Sequence, residues 1–169
     1  GLKDLLLGSG EGYLYYSKNQ GSKGAPLFAS PVPLEDVMGL PIAVESNSSP
    51  CVVDWDGDTI NDILLGSGGG EILLYRNEGH QGDNFLFSDP EPVKVDGLPL
   101  QAGVNSIPFV ADWDSDGDMD LLIDVDGGYL HLYLNSVVNG EPYLMGGEKV
   151  DREEYINLLE KELAIPYFI

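Results

Sequence analysis

Apolar residues come in short runs along this chain, and three of the runs are led by a carboxylate. Asp4 precedes Leu5-Leu6-Leu7, Asp62 precedes Ile63-Leu64-Leu65, and Asp120 precedes Leu121-Leu122-Ile123. The three Asp residues are 58 positions apart, and fifteen residues after each comes an Asn: Asn19, Asn77 and Asn135. Between Asp and Asn lie a Gly-rich turn and a second apolar run, ending at Tyr16, Tyr75 and Tyr133. The same interval of 58 relates Gly39-Leu40-Pro41-Ile42 to Gly97-Leu98-Pro99-Leu100, Asn47 to Asn105, and Pro50 to Pro108. Agreement at so many positions marks an internal repeat, the pattern of arrays whose units pack on their neighbours.

Each unit reads as four short strands. In the middle unit they run from Pro50 to Trp55, Asp62 to Gly66, Glu71 to Arg76 and Phe85 to Val95, separated by Gly, Asn and Asp. The first two are nearly all apolar, as expected of strands covered on both faces by neighbouring sheets. The last alternates and carries Pro90 and Pro92, which belong on an outer edge because proline cannot donate to a ladder. A four-stranded antiparallel sheet with a buried inner edge and a proline-bearing outer edge is a β-propeller blade. A β-solenoid is the rival, although its coils are usually shorter than 58 residues. The predicted class is therefore all-β, with about two and a half blades in an incomplete ring. Residues 1–48 are a partial first blade, 49–106 a second and 107–150 a third. After Asn135 the third unit departs: its outer part, Gly140 to Met145, is compressed, and then the period changes. Asp151 and Glu154 form a capping box, and Tyr155, Leu159 and Leu163 fall four apart. This predicts a short C-terminal helix from Arg152 to Ala164, within 151–169. So short a helix needs a surface to pack on, and the apolar tail Ile165 to Ile169 reads as a docking segment or a contact with another chain.

Two stretches carry the candidate chemistry: Asp54-Trp55-Asp56-Gly57-Asp58-Thr59-Ile60-Asn61-Asp62 and Asp112-Trp113-Asp114-Ser115-Asp116-Gly117-Asp118-Met119-Asp120. In both, Asp fills positions 1, 3, 5 and 9. Carboxylates so crowded repel one another unless a cation sits among them. Ca²⁺ takes six to eight oxygens from carboxylates, carbonyls and water. Side-chain ligation is expected from Asp54, Asp56, Asp58 and Asp62, and from Asp112, Asp114, Asp116 and Asp120. The backbone carbonyls of Ile60 and Asp118 would add an oxygen each. An EF-hand also opens D-x-D-x-D, but it needs a Glu at position 12 and flanking helices. Position 12 here is Leu65 or Ile123, each inside a strand. Mg²⁺ suits an all-protein cage poorly, and Zn²⁺ lacks its His and Cys ligands.

Charge narrows the partners further. Eight basic residues face twenty-nine acidic ones, a formal charge of −21. Nucleic acid and anionic membrane surfaces both call for clustered Lys and Arg, so neither is expected as a partner. No apolar run approaches the ~20 residues of a membrane span, so direct insertion is not expected either. Cys51 is the single cysteine and reads as a small core residue. His80 and His131 are isolated, Glu71 and Asp126 read as solvated, and four ligands on one ion leave no free acid or base. An enzyme is therefore not expected. Trp55 and Trp113, at position 2 of the loops, are expected to pack between blades, with stacking on sugar rings as the alternative.

On these loops and this period the chain resembles the FG-GAP or VCBS-type repeats of integrin-α-like β-propellers, whose blades carry a D-x-D-x-D-G-x-x-D calcium loop between their first two strands. The resemblance covers about Gly1 to Val150. Gly117 stands at position 6 of the second loop, whereas the first has Thr59 there and Gly57 at position 4. The resemblance implies an extracellular or lumenal propeller of about seven blades. Such propellers serve adhesion or capture of protein or carbohydrate ligands, or act as accessory domains of secreted polysaccharide-acting enzymes. Aligned on the repeat, Gly1 falls at position 6 of a loop and Asp4 at position 9, which leaves Asp4 as a partial third site. Two and a half blades cannot close a ring, which takes about four. The chain is thus expected to be a piece of a longer protein, or a structural subunit that other chains complete.

Overall fold

A computed structural model describes residues 1–81, 84–138 and 141–150, and among them every regular element is a strand. The predicted helix from Arg152 to Ala164 and the tail beyond it lie outside the described residues. No helix among the described residues is long and apolar enough to cross a membrane.

Strands β1 (Leu5–Gly8), β2 (Leu14–Ser17) and β3 (Val32–Pro33) form a first antiparallel sheet in that order. The second sheet is β4 (Ser49–Val53), β5 (Asp62–Gly66), β6 (Ile72–Tyr75) and, after a detour, the short edge strand Glu91–Pro92. The detour is a hairpin of β7 (Asn77–Gln81) and β8 (Asn84–Phe87). With these counted, the edge strand is β9, followed by β10 (Lys94–Val95) and β11 (Leu98–Pro99). The third sheet holds β12 (Ile107–Ala111), β13 (Asp120–Val125), β14 (Tyr129–Val138) and β15 (Glu141–Val150), with β10 and β11 added beyond β15.

Two expectations change. The single strand from Phe85 to Val95 is divided: Asn84–Phe87 folds back on β7, and only Glu91–Pro92 joins the blade, Pro92 facing Leu73. Pro90 and Pro92 keep the ladder short on this outer edge. The outer part of the third unit is not compressed. Glu141–Val150 is a ten-residue strand paired along β14, with a bulge at Leu132 and Tyr133.

The 58-residue period is a period of register. Gly8 faces Leu14, Gly66 faces Ile72 and Asp124 faces Leu130, while Ser49 faces Gly66 and Ile107 faces Asp124. In β5 successive side chains enter different cores. Ile63 and Leu65 join Leu14, Leu34, Ile42, Tyr75 and Phe87 between the first and second sheets. Leu64 joins Val53, Trp55, Ile72, Leu74, Leu121 and Ile123 between the second and third. Burial on both faces explains why the run carries no polar alternation. The far face of the third sheet gathers Leu122, Leu130, Leu132 and Val150, with Trp113 packed against them. Trp55 thus packs between sheets as expected, whereas Trp113 lies on the outer cluster. Cys51 is a free thiol, half-buried against the core between the second and third sheets, and burial pushes its pKa up.

Neighbouring sheets meet along a seam of backbone and serine bonds. Ser48 N donates to Ser9 O (3.0 Å) and Ser9 N to Ser48 Oγ (2.8 Å). One repeat later, Ser106 N donates to Ser67 O (3.1 Å) and Ser67 N to Ser106 Oγ (3.3 Å). The approach is so close that a Cβ on Gly8 would stand 1.8 Å from Ser48 O, and one on Gly66 2.1 Å from Ser106 O. The same register position in the third sheet is Asp124, which is exposed. Asn47 and Asn105, the repeat-related pair, are themselves bonded, Asn47 Nδ2 donating to Asn105 Oδ1 at 2.7 Å. Asn105 Nδ2 passes the chain on to Asp126 Oδ2 at 2.6 Å.

Candidate metal centres

Each Asp-rich loop joins the inner strand of its blade to the next, β4 to β5 and β12 to β13. Tight coiling demands left-handed backbone at positions 4 and 6: φ is +78° at Gly57 and +74° at Thr59, and +63° at Ser115 and +100° at Gly117. Each loop therefore meets the demand with one glycine and one ordinary residue, in opposite order. The β-branched Thr59 is the costlier occupant.

Coiling brings carboxylates together. One oxygen from each of Asp54, Asp56 and Asp58 lies within 4.8 Å of the others, and so for Asp112, Asp114 and Asp116. Backbone donors arrange them. Thr59 N bonds Asp54 Oδ2 (3.0 Å), Asp58 N bonds Asp56 Oδ1 (3.2 Å) and Ile60 N bonds Asp58 Oδ1 (2.7 Å). In the second loop Asp116 N bonds Asp114 Oδ1 (3.3 Å) and Asp118 N bonds Asp116 Oδ1 (2.9 Å). Asp118 Oδ2 also accepts from Val137 N at 3.1 Å. Ile60 and Asp118, expected to offer carbonyls, are tethered at the same place in the two loops.

Asp54 Oδ1 and Asp112 Oδ1 are buried and have no hydrogen-bond partner among the described residues. A buried anionic oxygen left unpartnered is costly unless something else satisfies it. It recurs at position 1 of both loops, beside two further carboxylates. Hard oxygen donors at this density fit Ca²⁺.

Asp62 and Asp120, at position 9, stand outside these groups of three and have another task. Asp62 is 1% exposed; its Oδ2 accepts from Trp55 N (3.1 Å) and its Oδ1 from Asn77 N (2.8 Å). Asp120, 0% exposed, accepts from Trp113 N (2.6 Å) and Asn135 N (2.8 Å). The Asn side chains close the frame: Asn77 Nδ2 donates to Asn61 O (3.0 Å), Asn135 Nδ2 to Met119 O (3.1 Å). Here lies the meaning of the fifteen-residue spacing, which the sequence displays without showing that it fastens loop to blade. Burial pushes both carboxyls above the ordinary range, against the pull of their N–H donors.

Asp4 belongs to neither group of three. Asn19 N (2.7 Å) and Tyr16 Oη (2.7 Å) donate to its two oxygens, and Asn19 Nδ2 donates to Lys3 O (3.1 Å). The Asn half of the frame is thus kept in the first unit, with the Tyr16 hydroxyl donating where the other two units use the N–H of loop position 2. The Asn19 and Tyr16 bonds hold the exposed Asp4 carboxyl below its ordinary value.

One residue of the first loop's surroundings was not anticipated. Arg76, just after β6, donates through Nη1 to Asp56 Oδ2 and through Nη2 to Glu141 Oε2 (2.9 Å). The repeat does not mark it: the equivalent positions are Lys18 and Leu134, a cation in one unit and an apolar residue in the other. His80 packs on Phe85 at 4.8 Å and His131 stacks on Tyr133 at 6.4 Å between ring centroids. Residues 54–123 match the family model of the FG-GAP-like repeat, from the first Asp of the first loop into β13. No curated protein and no solved structure matches the chain.

Proposed function

We propose, proceeding from the FG-GAP-type repeat that residues 54–123 form, that this chain is a calcium-stabilised propeller module that binds protein or carbohydrate without catalysing a reaction. Repeats of this type are modules of binding and adhesion, and they usually work outside the cell. The observation that carries the calcium reading is the buried, unpartnered oxygen at position 1 of each loop, Asp54 Oδ1 and Asp112 Oδ1. An ion supplies positive charge to three converging carboxylates. The chain's own residues supply Asp54, Asp56 and Asp58, or Asp112, Asp114 and Asp116, with Ile60 and Asp118 as carbonyl donors. In this reading Asp62 and Asp120 ligate while their frame bonds persist, since each carboxylate oxygen carries more than one lone pair. Asp4 lacks converging partners among the described residues and is left as a frame residue. Equilibrium dialysis tests the reading: two Ca²⁺ per chain are expected, and none at either loop would sink it.

A second reading, a structural subunit completed by other chains, draws support from two features. Strand β1 is at the edge of its sheet. Ile107, Tyr129 and Met145 of the third sheet are exposed. Oligomeric state with and without Ca²⁺ separates the two readings.

A further inference from the structure

We infer that Arg76 is an internal cation that competes with metal for Asp56, so that the first loop binds Ca²⁺ more weakly than the second and reports its occupancy to the third sheet through Glu141. The inference rests on the calcium reading above.

Asp56 is the middle carboxylate of its group of three, and both its oxygens are engaged. Oδ1 accepts from Asp58 N at 3.2 Å and Oδ2 from the Arg76 guanidinium. A metal ion that draws on Asp56 Oδ2 must displace or share that guanidinium. Arg76 cannot answer by losing its proton, because a guanidinium stays charged. Nor is it free to swing into water without cost. Its side chain is 29% exposed, Asp56 is 20% exposed, and its second arm is bonded to Glu141. A fixed positive charge beside a divalent cation repels it, and the half-buried setting screens that repulsion less than open solvent does.

The second loop is set differently. The position equivalent to Arg76 is Leu134, and no ion pair reaches Asp112, Asp114 or Asp116 among the described residues. Asp118 adds a fifth carboxylate where the first loop has Ile60. The second loop therefore meets a cation with more negative charge and no competitor.

Glu141 opens β15 of the third sheet, so the guanidinium ties the second blade's loop to the third blade's outer hairpin. Metal at the first loop takes Asp56 from Arg76 and leaves Glu141 as its partner. Removing Glu141 leaves Asp56 as the guanidinium's remaining partner and strengthens the competition. By linkage, metal binding at the first loop and pairing of Arg76 with Glu141 favour each other equally.

The test is a calcium titration by calorimetry on the full chain carrying Asp112→Ala, which isolates the first loop. Arg76→Met is expected to tighten that site about fivefold, the upper scale of one such charge pair. Glu141→Gln, an exposed change that leaves the loop untouched, is expected to weaken it two- to threefold, a shift that a purely structural Arg76 would not produce. Unchanged or weaker binding in Arg76→Met overturns the inference, and so does an unmoved Glu141→Gln if Arg76→Met folds poorly. Two ions bound by the unmodified protein alongside either negative result would leave the calcium reading standing. No calcium bound by the unmodified protein removes both.

Discussion

Loops 54–62 and 112–120 hang from the same frame and are balanced differently. In each, the position-9 carboxylate sits at the start of the second strand and accepts one N–H from position 2 of the loop and one from an Asn fifteen residues on. Around that frame the first loop has Arg76 on Asp56, while the second has exposed Asp114 and Asp116 and the additional Asp118. The frame is copied with the strands because it is part of how a blade closes. The charge balance is a local matter that can change from unit to unit without disturbing the register.

Removing calcium should separate the two most. Each site occupied at a hundred times its dissociation constant stabilises by about 2.7 kcal/mol, so chelation should lower Tm by roughly 10–20 °C for a chain of this size. Amide exchange after chelation should rise more in 112–120 than in 54–62, where Arg76 still offsets part of the repulsion. Equal exchange in the two loops would break the comparison. Asp62→Asn and Asp120→Asn test the shared half. Each leaves an amide N–H₂ facing a backbone N–H in a buried place, at a cost of about 1–3 kcal/mol. The two costs, measured by denaturant melts in chelator, should agree within about 1 kcal/mol. The smallest effect is in the backbone. Thr59→Gly should stabilise by about 1 kcal/mol by relieving a β-branched residue at positive φ, and Ser115→Gly by less.

The sequence makes the period legible because burial on both faces leaves little freedom at Ile63, Leu64 and Leu65 or at Leu121, Leu122 and Ile123. The carboxylate clusters were legible for a related reason, since alternate Asp residues in a tight turn have few other uses. Two things were not. Asp62 reads from spacing as one more ligand, yet its frame bonds to Trp55 and Asn77 appear only when the strands are paired. Arg76 reads as the polar end of a strand, because its partner Glu141 is 65 residues away and follows no repeat. The division of Phe85 to Val95 was hidden because alternation describes both a hairpin arm and an edge strand.

Gly66 decides where this row of sheets can grow. A copied unit inserted between the second and third would meet a bare backbone in front of it and offer one behind, so duplication within the row keeps its register. Behind the third sheet the geometry is different. Where Gly8 and Gly66 let a carbonyl pass 1.8 and 2.1 Å from the site of a Cβ, the third sheet has the side chain of Asp124. Another unit laid there in the same register would drive its backbone oxygen into that carboxylate, charge against partial charge. The array can lengthen from within, but at this face a further copy begins with a collision.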